Sequence, residues 1–103
     1  MILEVAILYV KDGQTKQFEE DFAIAGKYIS SIKGYLKHLL SKCLEDQNKY
    51  ILLAEWEKLE DHTIEFRQSP QYQEWKKLLH HYYDPFPIVE HYEMTIENRK
   101  AGY

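Results

Sequence analysis

Two segments of this chain are apolar on both faces, which limits the folds open to it. Residues 2–10 read Ile-Leu-Glu-Val-Ala-Ile-Leu-Tyr-Val, rich in β-branched types, with Glu4 and Tyr9 the only polar side chains. Such a run predicts a strand buried on both sides. Side chains alternate along a strand, so Leu3, Val5 and Ile7 share one face, and Ile2, Ala6 and Leu8 the other. Residues 50–57 repeat the pattern, with Tyr50, Leu52, Ala54 and Trp56 opposed to Ile51 and Leu53. A sheet built on these strands needs cover on both faces, yet 103 residues supply one core, not two.

The rest of the chain supplies one layer of cover. Asp12-Gly13 is a turn signal. Over residues 15–31, Phe18, Phe22, Ala25 and Ile29 recur at three- and four-residue steps, predicting an amphipathic helix. Glu19, Glu20 and Asp21 lie early in it, where they suit the positive end of the helix dipole. After Gly34, residues 35–44 predict a second strand, and the polar loop 45–49 joins it to 50–57 as an antiparallel hairpin. A short helix is expected over 59–68. Ser69-Pro70 then starts another, with Tyr72, Trp75, Leu79 and Tyr82 on one face. Asp84-Pro85-Phe86-Pro87 stops it, and residues 88–96 predict the last strand. The order β-α-β-β-α-β is the ferredoxin-like α+β arrangement, an antiparallel sheet with both helices on one face. Residues 1–97 read as a single domain and 98–103 as a C-terminal tail. The open sheet face stays apolar, so the expected cover is a second copy, giving a homodimer.

Composition excludes several classes. A formal net charge of -4 lacks the basic footprint of a nucleic-acid binder. No segment approaches the roughly 18 apolar residues of a membrane helix, and the N-terminus lacks the pattern of a secretory signal. Cys43 is the single cysteine, so an internal disulfide is impossible. These features predict a cytoplasmic protein. No Cys-x-x-Cys or His-x-x-x-His spacing points to a metal, and no glycine-rich phosphate loop occurs.

Residues 50–92 carry sharper marks: a strand ending Glu55-Trp56-Glu57, a helix bearing His62, the run Phe66-Arg67-Gln68-Ser69-Pro70, and a final strand with His91-Tyr92. This stretch resembles the antibiotic biosynthesis monooxygenase family of the dimeric α+β barrel group; residues 2–44 agree in order and spacing. The resemblance implies two sheets packed back to back and a pocket in each subunit between sheet and helices. It also implies, for some members, oxygenation of aromatic or quinol substrates by molecular oxygen with no metal or flavin. A haem-opening branch is disfavoured: the first strand has no asparagine, Phe66 falls at its tryptophan position, and Lys76 at its haem-ligating histidine. An ammonium cannot replace an imidazole as iron ligand without losing its proton.

Cofactor-free oxygenation needs a base, donors for a developing oxyanion and a dry pocket. His62 is the candidate base, since imidazole titrates near neutrality, against the plain reading of a solvated helix residue. His38 and His91, on strands, are candidates to enter the pocket or to serve as hydrogen-bonded interior residues. Trp56, Phe66 and Tyr82 could stack on a planar substrate or simply fill the core. Arg67 could steady an anionic substrate or lie on the surface. The leading expectation is a cofactor-independent monooxygenase acting on a small aromatic or quinol-like molecule. A non-catalytic dimeric binding or stress-response module of the same fold stays open beside it, as does a small-molecule isomerase.

Overall fold

The computed structural model describes residues 1–101. In chain order come β1 (Ile2–Tyr9), α1 (Thr15–Ile29), β2 (Tyr35–Lys42), β3 (Lys49–Trp56), a π-helical turn (Asp61–Phe66), α2 (Pro70–Leu79), a 3-10 turn (His80–Tyr82) and β4 (Val89–Glu93). The strands form one antiparallel sheet in the order β2-β3-β1-β4, and both helices pack on the same face. This is the expected ferredoxin-like α+β fold. Among the described residues, no helix is long and apolar enough to cross a membrane.

The alternation in β1 and β3 sets the core. Ala6 and Leu8 turn to the helices together with Tyr50, Leu52, Ala54 and Trp56, all buried. Phe18, Phe22, Ala25 and Ile29 of α1 close over them, with Trp75 and Leu79 of α2. Phe18 is fully buried, its ring 5.0 Å from that of Tyr50 and 5.5 Å from that of Tyr82. The carboxylates expected at the dipole end of α1 fall one turn later, because the first turn holds no acidic residue. There they serve another purpose: Glu19 accepts from the Tyr50 hydroxyl and Asp21 from the Tyr82 hydroxyl, each at 2.5 Å.

Several boundaries differ from the sequence expectation, four of them by more than a residue or in kind. The segment 59–68 is mostly a π-helical turn. The face shared by Tyr72, Trp75 and Leu79 does not extend to Tyr82, because α2 ends at Leu79 and a 3-10 turn swings Tyr82 towards α1. β4 stops at Glu93 instead of 96, since Glu93 pairs with Ile2 at the start of β1 and the ladder has no further partner. β2 ends at Lys42, which leaves Cys43 half-buried just past the strand. Ser69 caps α2 as expected, its Oγ accepting from the Tyr72 N–H at 3.1 Å. Residues 98–101 of the expected tail carry no helix or strand, and 102–103 lie outside the described residues.

Gly34 ties the start of β2 to the π-helical turn. Its φ of +89° favours glycine, and a β-carbon there would collide with the Asp61 carboxylate. That carboxylate accepts from the Lys58 N–H at 3.0 Å and so fixes the entry to the turn.

The other sheet face remains apolar. Leu3, Val5, Ile7, Ile51 and Leu53 are half-buried within one copy, and Leu39 and Tyr92 beside them are 50% and 49% exposed. A hollow on this face is lined by Leu3, Val5, Ile51, Leu53, Tyr92 and Ile96.

Candidate active site

Glu4 interrupts the apolar run of β1 on its helix-facing side. The register sets it directly opposite Ala54 on β3 and His91 on β4, with Trp56 one diagonal step away. Those neighbours make a polar line at one end of the sheet. The Trp56 Nε1–H donates to Glu4 Oε1 at 3.0 Å. The same oxygen lies 3.4 Å from His62 Nε2, beyond the roughly 2.6–3.2 Å of a closed hydrogen bond and within a small side-chain movement of it. On its other side, His62 Nδ1 is 2.8 Å from His91 Nε2. Glu4 and His62 are only 4% and 3% exposed.

Burial dominates the ionisation of this line. It raises Glu4 from 4.5 to about 7, against the opposing pull of the Trp56 hydrogen bond and the Arg67 charge. It pushes His62 down to about 3, with Arg67 and His91 adding to the effect. His91 is lowered by burial and then by Arg67. The Glu4–His62 approach is therefore a contact between two groups that burial favours in their neutral forms, not an ion pair.

Glu4 and His62 form part of the wall of a cavity of about 340 Å³ between sheet and helices. Ala6, Leu8 and Leu52 give it an apolar floor, and Phe66, Tyr72, Trp75, Tyr83 and Phe86 give it aromatic sides. The volume is at the small end of the range typical for small-molecule sites. Burial raises the Tyr83 phenol, and the neighbouring Tyr72 raises it further. His80, lowered by burial and by Lys76, lines the same space. The exposed Arg67 brings a fixed positive charge to the cavity.

The sequence candidates divide accordingly. His62, Phe66 and Arg67 line the cavity, His91 touches it through His62, and Trp56 through Glu4. His38 and Tyr82 are outside its wall. The His38 Nδ1 pairs with the Tyr35 hydroxyl at 2.6 Å while its ring packs on Phe22, and Tyr82 is committed to Asp21. A β-bulge between Tyr35 and Lys37 sets His38 opposite Ala54, on the side of β3 away from β1. The sequence reading passes over Glu4, Tyr83 and His80. For Glu4 the signal was there: a lone carboxylate whose parity matches Ile2, Ala6 and Leu8.

The polar line is not a metal cage. His62 turns opposite ring nitrogens to Glu4 and His91, so the donors run in a row instead of converging on one point. Among the described residues, no group of three His, Cys, Asp or Glu side chains is placed to hold a metal ion. Lys76, at the haem-ligand position implied by the resemblance, is exposed and off the cavity wall, which does not fit a haem ligand.

Comparison with known proteins agrees with this architecture. A profile of the family described as antibiotic biosynthesis monooxygenase matches residues 1–78. The chain belongs to the antibiotic biosynthesis monooxygenase family. Uncharacterised protein YczJ of Bacillus subtilis (strain 168) is 55% identical over 93 residues, spanning 90% of this chain and 98% of YczJ. A solved structure from Bordetella bronchiseptica, provisionally classed in the same family, is 30% identical with a TM-score of 0.88, covering 92% of this chain and 97% of that one. SnoaB, a cofactor-independent oxygenase from Streptomyces nogalater, shares the fold at 19% identity and a TM-score of 0.72, covering 97% of this chain and 96% of SnoaB.

Proposed function

We propose that this family member is a cofactor-independent monooxygenase acting on a small aromatic or quinol-like molecule with molecular oxygen. The observation that carries the reading is the buried Glu4–His62–His91 line opening onto an aromatic-walled cavity. A planar substrate would lie in the cavity against rings such as Phe66, Trp75 and Phe86, with an acidic proton towards Glu4 and His62. Its deprotonated form is electron-rich enough to react with oxygen. The Tyr72 and Tyr83 hydroxyls and the Arg67 guanidinium are available to hold its oxygen atoms. Membership of the family and a shared fold with SnoaB support the same reading. The protein acts as a homodimer in this proposal, two copies meeting through their apolar sheet faces.

One observation favours the rival reading, a non-catalytic dimeric binding module. The His62 imidazole, pushed down to about 3, is a weak base. Oxygen uptake separates the two. Purified protein with chelator and a panel of hydroquinones and anthrone-like phenols is expected to consume oxygen above the protein-free rate, and His62→Ala to consume less. Uptake that never exceeds the protein-free rate would refute the oxygenase reading for this substrate class.

A further inference from the structure

We propose that Glu4, His62 and His91 form a proton relay between the cavity and solvent, with Glu4 as the end that takes the proton of a bound substrate. The assignment of Glu4 to substrate rests on the reading of the cavity as an active site; the relay itself can be tested without substrate.

A neutral imidazole donates from one nitrogen and accepts at the other. The line therefore has two self-consistent states. In the first, protonated Glu4 donates to His62 Nε2, His62 Nδ1–H donates to His91 Nε2, and His91 keeps its proton on Nδ1. In the second, the Glu4 carboxylate accepts from His62 Nε2–H, and His91 Nε2–H donates to His62 Nδ1. Moving from first to second, the Glu4 proton passes to His62 Nε2. The His62 Nδ1 proton passes to His91 Nε2, and the His91 Nδ1 proton leaves to solvent. One proton departs, one moves from the carboxyl oxygen to a nitrogen, one moves between nitrogens, and both rings remain neutral in each end state. That matches an interior that resists charged imidazole at His62 and His91 while allowing Glu4 to titrate at about 7.

The positions give the relay its purpose. Glu4 is 4% exposed, and its open side is the cavity, which a bound substrate would fill. A carboxylic acid formed there needs another way to lose its proton before the next turnover. His91 is half-buried on β4, the edge strand, within reach of water. Trp56 Nε1–H holds the Glu4 oxygen in place in either state. The other titratable or charged groups facing the line are Arg67 after the π-helical turn, and Tyr72, His80 and Tyr83 across the cavity; β3 presents the uncharged Trp56.

Nitrogen-15 NMR of histidine-labelled full-length protein, titrated without substrate between about pH 5 and 9, reads the tautomers directly. The expected result is that His62 and His91 both change from Nδ1–H to Nε2–H with one midpoint at about 7. His62 should not show the signature of imidazolium, and Glu4→Gln should abolish the change. A His62 tautomer fixed over the whole range would overturn the relay, as would a change that persists in Glu4→Gln. The wild-type titration alone decides the matter should the variant not fold. Tautomer exchange without oxygen uptake supports the relay and removes the oxygenase reading; uptake without exchange does the reverse. In an active enzyme, His91→Phe is expected to lower kcat about 100-fold at unchanged KM, with partial rescue by added imidazole. An unchanged kcat would also overturn the relay.

Discussion

Replacing Glu4 by glutamine keeps shape and removes ionisation, so its effect on stability should depend on pH in one direction. Burial raises the carboxyl from 4.5 to about 7, which means the folded protein holds this proton more tightly than the unfolded chain. Stability from this group is therefore fully present below about pH 4.5 and is lost as pH rises through about 7. At about 1.36 kcal/mol per pH unit, that interval corresponds to a loss of about 3 kcal/mol. His62 works in the opposite sense: its lowered value costs stability as pH falls from 6.5 towards about 3. Both proteins contain His62, so its contribution largely cancels when they are compared. Urea unfolding of each at a series of pH values and one protein concentration gives the difference. The expected outcome is that Glu4→Gln gains about 3 kcal/mol on the parent between about pH 4 and 8, beyond any constant offset. Parallel stability curves would refute the reasoning. A gain in the opposite direction would mean that Arg67 and the Trp56 N–H outweigh burial and hold Glu4 ionised.

Other expectations follow from packing. Gly34→Ala should cost about 3 kcal/mol, from the disfavoured φ and the displaced Asp61 carboxylate; combined with Asp61→Ala the loss should be less than additive in a double-mutant cycle. Tyr83→Phe should raise KM for a phenolic substrate, whereas Tyr82→Phe should leave the kinetics unchanged because its hydroxyl serves Asp21. Leu53→Lys, which sets a charge in the middle of the open sheet face, should shift the sedimentation mass from dimer to monomer.

The fold was legible because its main signals are local. The two-residue period of 2–10 and 50–57, the steps from Phe18 to Ile29, and the Ser69-Pro70 start each report on a short stretch of chain. The site was less legible because it depends on register and on where elements end. Glu4 and His91 are 87 positions apart in sequence and become neighbours only through the β1–β4 pairing. His38 looked equivalent to His91, as a histidine on a strand, yet β2 lies across β3 from β1 and takes His38 away from the cavity. Tyr82 continued the helical spacing of Leu79, but the backbone tightened after Leu79 and turned the ring to another partner. The candidate base His62 was found by its place in a family-like segment; nothing in its neighbours announced a carboxylate from the first strand beside it.

The π-helical turn carries a further consequence. Its hydrogen bond from the Arg67 N–H to the His62 carbonyl spans five residues, where an α-helix would span four. It works as a phase shifter, because one residue corresponds to about 100° of helical rotation. Removing a single residue between 62 and 66 would let this stretch rewind as ordinary helix, keeping its composition and most of its hydrogen bonds. His62 would then be dialled away from Glu4 and His91 relative to Phe66 and α2, so the alignment of the whole polar line depends on the surplus residue.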